Sequence, residues 1–110
     1  MNSASTDTSQ QHTWRINRHH AALWRSWDGE VVVYDDISGD TMKLDIIMSE
    51  IFRFMLHCPA TPAEIVRHLA SAFDLKADEQ LRHITSLALH RLREAALIQT
   101  IPLAGSQDAR

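Results

Sequence analysis

The part of the sequence that most constrains the fold is residues 24–45, which read WRSWDGEVVVYDDISGDTMKLD. Asp28-Gly29 is a strong two-residue hairpin signal, because both central positions of that turn need a positive φ. The run of three valines and a tyrosine at 31–34 is typical of a strand, because β-branched and aromatic residues are enriched there. Gly39 favours a second turn before the short run at 41–44. The sequence therefore predicts a three-stranded antiparallel meander in front of a largely helical chain.

Two helices are predicted directly after these strands. Asp45 is a suitable N-cap for a helix over 46–57, which is apolar nearly all round and is therefore expected at the centre of the fold. The sequence TPAE at 61–64 contains a capping Thr, a Pro at the first helical position and a Glu that can close a capping box. We expect this second helix to continue to residue 73.

A third helix and a short extended end complete the prediction. Asp78-Glu79 places acidic side chains where they favour a helix N-terminus, and the helix should reach about residue 95. The run 97–101 favours a short strand that Pro102 ends, whereas 14–20 fits either a strand or a covering loop. Strands at one end with three helices behind them predict an α+β, winged-helix-like fold.

Composition sets the broad class of the protein. A chain of 110 residues with net charge −3 is expected to form one domain at 14–102, with polar, disordered tails at 1–13 and 103–110. Cys58 is the single cysteine, so an internal disulfide is impossible and a reducing compartment is expected. No secretory signal or membrane span is recognisable, which favours a cytoplasmic location.

The third helix carries more apolar surface than one core needs. On a helical wheel its apolar arc spans roughly 200°, about twice the usual width. Either the strands cover the extra flank, or a groove remains there for a partner. The strand at 41–44 has a weakly protected edge, with Lys43 as its single charged residue. A strand edge beside an apolar helix flank is suited to binding an extended peptide.

Other chemistry is poorly supported by the sequence. Among the seven histidines, His83 and His90 share a helix face but have no third ligand at a suitable spacing. Turns and caps explain the acidic residues around the second hairpin better than catalysis does. Motifs for a nucleophile elbow, a phosphate loop or zinc are missing from the sequence. We therefore expect a protein that is not an enzyme and holds no metal or cofactor.

Binding to DNA is the main alternative, because winged helices commonly bind duplexes. Arg82, Arg91 and Arg93 lie on the third helix, but Glu79, Glu94 and the negative net charge oppose contact with phosphate. A structural subunit whose groove is permanently filled by an enzyme is a third alternative. The sequence favours neither of these over peptide binding.

The strand region resembles the PqqD-like peptide chaperones, in particular the branch found beside HPr-kinase-related proteins. The matching residues are Trp27, Asp28, Glu30, Val32, Val33 and Tyr34, then Ser38 and Gly39, then Thr41, Leu44 and Asp45. The similarity extends more weakly over residues 14–101. Met42 stands where that branch often has histidine, and Ala96 stands where it usually has glycine. The second difference predicts another ending for the third helix.

The resemblance implies a recognition element for ribosomally made, later modified peptides (a RiPP recognition element). Such a domain binds the leader of a precursor peptide as an added strand and presents it to a separate modifying enzyme. No nucleic acid or membrane partner is expected, and a homodimer through the free edge is an alternative.

The resemblance also implies the site residues. The third strand would contribute its edge, with backbone bonds from 42–44 to the peptide, and the third helix would contribute one wall. Comparison with the family ending assigns Leu89 to the core with Leu92 and Leu97. The implied peptide-binding residues are Thr41, Met42, Lys43 and Leu44 on the strand and His83, Ile84, Leu87 and Arg91 on the helix.

Overall fold

The computed structural model describes residues 12–18, 23–35 and 38–101. In chain order the elements are β1 (Trp14–Ile16), β2 (Leu23–Trp27), β3 (Glu30–Tyr34), β4 (Thr41–Lys43), α1 (Ile46–His57), α2 (Pro62–Phe73), α3 (Glu79–Glu94) and β5 (Ile98–Thr100). The predicted α+β order of a meander followed by three helices is confirmed. The predicted tails lie outside the described residues, apart from residues 12 and 13.

The meander forms one antiparallel sheet in the order β2-β3-β4. Asp28 and Gly29 take φ values of 54° and 80°, as the two-residue turn between β2 and β3 requires. In the next hairpin Val33 lies opposite Met42. Val31 and Val33 are buried while Tyr34 is exposed, so one face of the sheet packs on the helices and the other faces outward.

The helices begin where their caps predict. The Asp45 carboxylate accepts a hydrogen bond of 2.7 Å from the Met48 amide at the start of α1. At α2 the Thr61 hydroxyl accepts from the Glu64 amide, and the Glu64 carboxylate accepts from the Thr61 amide, so the capping box is complete. Asp78 caps α3 in the same way. These local signals therefore fix the three helix starts.

A buried serine fastens the sheet to α1. The Ser49 hydroxyl accepts from the Val31 amide at 2.7 Å and donates to the Leu44 carbonyl at 3.2 Å. The same hydroxyl therefore forms hydrogen bonds with β3 and with the residue that follows β4. Ser49 is completely buried. The fully buried apolar side chains of the core are Val31, Leu44, Ile51, Phe52, Ile65, Leu69 and Leu92.

The two ends of the described domain form a second, two-stranded sheet. β1 pairs antiparallel with β5, with Ile16 opposite Ile98. Trp14 also bridges to Ala60, just before α2. The segment 14–20, for which the sequence left a strand and a loop as alternatives, thus begins with a strand. Its Trp14 and Ile16 side chains are buried and belong to the same apolar core as Val31 and Val33 of the meander.

The C-terminus of α3 corrects one sequence prediction. Ala96 has a φ of 63°, in the left-handed region that glycine favours. The Ala96 amide donates to the Arg93 carbonyl, and the Leu97 amide donates to the Leu92 carbonyl. These two bonds are those of a Schellman motif. The expectation of a different helix ending is therefore wrong, because alanine adopts the glycine-type conformation here.

Candidate functional site

β4 is an edge strand of the meander among the described residues. The Leu44 amide donates to the Val31 carbonyl at 2.8 Å, in the same register as the β3–β4 ladder. Bonded and non-bonded pairs alternate along an antiparallel ladder. Met42 therefore directs its backbone groups toward β3, whereas Thr41 and Lys43 direct their N–H and C=O groups toward the open edge.

The structure corrects the implied role of Leu44. Its side chain is fully buried, its amide is bonded to Val31, and its carbonyl accepts from the Ser49 hydroxyl. Leu44 thus anchors the end of β4 in the core and has no backbone group free for a ligand. The backbone groups that remain for pairing belong to Thr41 and Lys43, instead of the predicted run 42–44.

On α3 the structure separates the two apolar flanks. Leu89 is 5% exposed and packs in the core, as the family resemblance implies, and Leu92 and Leu97 are buried with it. Leu87 is 50% exposed and Ile84 is 38% exposed. The extra apolar surface of α3 therefore lies on the flank that carries Ile84 and Leu87.

These two side chains form a cavity with the first turn of α1, which we call the helix pocket. Its volume is about 180 Å³. It is lined by Asp45, Ile47, Met48, Ile84, Leu87, Ala88 and Arg91. Three of the implied site residues, Ile84, Leu87 and Arg91, come together here. Most of the wall is apolar, with a single acidic and a single basic side chain among the lining residues.

A second cavity, which we call the hairpin pocket, lies where the β3–β4 hairpin meets the end of α3. Its volume is about 370 Å³. It is lined by Val33, Asp35, Asp40, Thr41, Met42, Ala95 and Leu97. The implied site residues Thr41 and Met42 belong to this wall. Two carboxylates stand beside its apolar side chains, and its described lining residues include no basic one.

Three implied site residues lie outside both cavities: Leu44, which is buried in the core, and Lys43 and His83, which are exposed. Lys43 points to the outer face of the sheet, where its Nζ lies 3.2 Å from a Glu30 carboxylate oxygen. This pair is exposed to solvent and contributes little to stability. His83 is exposed on α3 and is not among the lining residues of either pocket. Of the helix residues implied by the resemblance, His83 has the weakest connection to the groove.

The sequence reasoning missed the contribution of α1 and of the hairpin end. The sequence predicts α1 at the centre of the fold, yet Ile47 and Met48 in its first turn also line the helix pocket. Turns and caps explain Asp40 in the sequence, and the structure also places it among the lining residues of the hairpin pocket. The period of two along β4 would have placed its side chain on the same face as Met42, because alternate residues of a strand share a face.

The groove combines the open edge of β4 with two cavities. In the described ranges, histidine, cysteine, aspartate and glutamate form no group of three that could hold a metal ion. None of the three described helices is long and apolar enough to cross a membrane. Backbone donors and acceptors next to two cavities suit an extended chain, whose main chain pairs with β4 while its side chains enter the pockets.

These elements define a winged-helix-like α+β domain whose edge strand lies beside an open flank of its third helix. A solved structure with this fold is TbiB1 in complex with the TbiA(beta) leader peptide. It superposes with a TM-score of 0.66 over 81% of this chain and 99% of that chain, at 19% sequence identity. No family model matches the chain, and no curated protein matches it.

Proposed function

We propose that this protein is a non-catalytic peptide-binding chaperone that captures the leader of a ribosomally made precursor peptide as an added strand on β4. The observation that carries the proposal is the open edge at Thr41 and Lys43 next to the helix and hairpin pockets. An added strand obtains affinity from main-chain bonds and selectivity from pockets that take alternate side chains.

Two further observations support a peptide as the ligand. The fold is shared with TbiB1, which was solved in complex with a leader peptide. The strand stretch with Trp27, Tyr34 and Gly39 resembles the PqqD-like chaperones. The resemblance lies in the sequence and the shared fold in the backbone, and both favour a leader peptide over an unrelated extended chain.

The outer face of the sheet supports presentation of the peptide to a separate modifying enzyme. Leu23, Trp27 and Tyr34 are exposed there, at 51%, 67% and 39%. By register they share this face with Thr41 and Lys43. Exposed apolar patches on small proteins often mark protein contacts. An enzyme that covers this face would also touch the outward side chains of a strand added to β4.

Fluorescence anisotropy at low salt distinguishes this function from the winged-helix DNA-binding alternative. Labelled candidate leader peptides should bind with micromolar or lower Kd, and duplex DNA should bind far more weakly because the net charge is −3. Steeply salt-dependent DNA binding with no binding to any leader peptide would replace the chaperone proposal with the DNA alternative.

Alternate methylation of peptide amides tests the added strand itself. Methyl groups on the amides that face β4 should weaken binding at least tenfold, because each removes a donor to the strand edge. Methyl groups on the intervening amides serve as the matched control and should have a smaller effect. Equal Kd values for the two methylated peptides would contradict strand addition.

The same edge also allows a homodimer, in which β4 of one copy pairs with β4 of another. Sedimentation of the protein with and without peptide decides between these states. A dimer that persists when peptide is saturating would mean that the peptide does not use β4.

A further inference from the structure

A third cavity continues the groove beyond the helix pocket. We call it the loop pocket, because it lies at the connection between α2 and α3. Its volume is about 230 Å³. It is lined by Leu75, Lys76, Asp78, Gln80, Leu81 and Ile84. Ile84 also lines the helix pocket, so the two cavities meet at this side chain.

The three cavities follow one another along α3. The hairpin pocket contains Ala95 with Thr41, and the helix pocket contains Ala88 with Asp45. β4 therefore runs from the C-terminal end of α3 toward its N-terminal end, and the loop pocket lies beyond the end of β4. From Gln80 to Ala95 the helix rises about 22 Å. The three residues of β4 cover about 10 Å, so a strand added to β4 accounts for only about half of this length.

The exposed apolar side chains of the helical part are concentrated along this groove. Among the described helices and their connections, the large apolar side chains that are exposed are Ile46, Leu75, Ile84 and Leu87. Three of them line the helix pocket or the loop pocket, and Ile46 directly precedes the lining residue Ile47. Contiguous apolar patches on soluble proteins often mark the place where a ligand or partner binds. This patch includes the loop pocket as well as the helix pocket.

The loop pocket has a fixed backbone on both sides. The Leu75 amide donates to the Ala70 carbonyl at 2.8 Å, which ties the connection to the end of α2. On the other side the Asp78 carboxylate accepts from the Leu81 amide at 3.0 Å, at the start of α3. The Leu75 side chain is 49% exposed even though its backbone is held in place. The pocket therefore presents an apolar side chain in a preorganised position, which lowers the entropic cost of binding a ligand.

We propose that the bound peptide continues beyond β4 along α3 and inserts a large apolar side chain into the loop pocket, between Leu75 and Ile84. The proposal rests on the proposed function, because it assumes a strand added to β4. It adds a second part to the binding surface. In this part the peptide is held by side-chain contacts, since none of the residues that line the loop pocket belongs to a strand.

A displayed library of random dodecamer peptides, selected on the intact protein, supplies the probe. Twelve extended residues span about 40 Å, which exceeds the length of the groove. Peptides are kept when Lys43→Pro weakens their binding, because these use the edge of β4. Leu75→Ser should raise their Kd about tenfold and leave the melting temperature nearly unchanged, because it removes an exposed apolar contact. Ala77→Ser adds a hydroxyl in the same connection but outside the loop pocket, so its Kd should equal that of the native protein.

Shortening the peptide identifies the end that reaches the loop pocket. Residues are removed from each end in turn. At one end the loss should raise Kd about tenfold on the native protein and have little effect on Leu75→Ser, because that variant already lacks the contact. Methyl NMR detects the same contact without a substitution. The Leu75 methyl signals of the native protein should shift with the full peptide and return toward their free positions with the shortened one.

Three other results have distinct meanings. Equal Kd values for the native protein and Leu75→Ser, with unshifted Leu75 methyl signals, would overturn this inference and leave peptide binding on β4 intact. A homodimer that Leu75→Ser dissociates without a change in peptide Kd would also overturn it, and would assign the loop pocket to a second copy of the chain. A selection that yields no peptide sensitive to Lys43→Pro, together with no binding of candidate leaders, would contradict the proposed function itself.

Discussion

Among the described residues, Ala96 is the alanine that takes a left-handed backbone conformation, which a side chain with a Cβ atom disfavours. A left-handed conformation costs a residue with a Cβ atom about 1–2 kcal/mol relative to the right-handed one. The Schellman bonds at the end of α3 require that conformation, and the Asn17 side-chain amide donates to the Ala96 carbonyl at 3.0 Å. Several contacts thus hold Ala96 in place, and the strain is offset by the rest of the fold.

We expect Ala96→Gly to stabilise the protein by about 1 kcal/mol, because glycine adopts the left-handed region without a Cβ clash. Thermal unfolding should show a higher melting temperature. Ala95→Gly, at the preceding position with a negative φ of −83°, is the control and should lower it. A lower melting temperature for Ala96→Gly would mean that the Ala96 methyl group contributes packing that outweighs the strain.

Substitutions of Leu87 and Leu89 should distinguish the peptide-binding flank of α3 from its core-facing flank. Leu89→Ala should cost about 2–5 kcal/mol of unfolding free energy, because it empties a buried site. Leu87→Ala should leave the melting temperature nearly unchanged and raise the peptide Kd about tenfold, which corresponds to about 1.4 kcal/mol. Calorimetric unfolding and anisotropy measure the two effects. If Leu87→Ala destabilised the fold and Leu89→Ala only weakened peptide binding, the groove would lie on the other flank of α3.

At the scale of elements, local signals were sufficient for the turns and helix starts. Asp28-Gly29 and the capping box at Thr61 act within a few residues, so the sequence predicts them directly. The pairing of β1 with β5 joins distant parts of the chain and leaves no local pattern. No local pattern predicts that Leu44 is unavailable to a ligand. Its carbonyl accepts from the Ser49 hydroxyl, which belongs to the following helix.

The edge of β4 can be tested in the protein as well as in the peptide. We expect Lys43→Pro to weaken peptide binding at least tenfold, because proline lacks the outward N–H, while edge strands tolerate proline at such positions. Lys43→Ala keeps the N–H and is the matched control, and its Kd should change little. Circular dichroism checks that both variants fold. Equal Kd values for the two variants would show that the Lys43 amide does not pair with the peptide.

At the scale of the whole molecule, a polar cluster connects the meander to two helices. The Arg53 guanidinium donates to the Gly29 carbonyl in the β2–β3 turn and to the Glu50 carboxylate. The other Glu50 oxygen lies 2.7 Å from His68 Nε2 on α2, and His68 stacks on Phe54. Burial would raise the pKa of Glu50, but hydrogen bonds from His68 and Arg53 outweigh it and lower the pKa.

The lowered pKa of Glu50 predicts an acid-dependent loss of stability. The folded protein holds the carboxylate ionised more strongly than the unfolded chain does, so stability rises with pH through this group. Its contribution is complete above the ordinary value of 4.5 and is lost as pH falls through the lowered pKa. The melting-temperature gap between the native protein and Glu50→Gln should therefore be widest near neutral pH and should shrink in acid.

Glu94→Gln is the control for this measurement, since the Glu94 carboxylate is exposed and lies 3.6 Å from the Nε2 atom of His90, which is exposed as well. Its melting temperature should follow that of the native protein at every pH. A gap for Glu50→Gln that stays constant between pH 7 and pH 3 would contradict the role of the Glu50 carboxylate in this cluster.

The β1–β5 sheet brings the two ends of the described domain side by side. The Ile101 amide donates to the Thr13 carbonyl at 2.8 Å, so the chain enters and leaves at nearly one point. Neighbouring strands lie about 5 Å apart. A larger protein can therefore accept the whole domain as an insertion in a loop whose two ends have this separation. Joining the same two points by a short linker would likewise permit new termini in the exposed connection between α2 and α3, which makes circular permutation practical for building sensors from this domain.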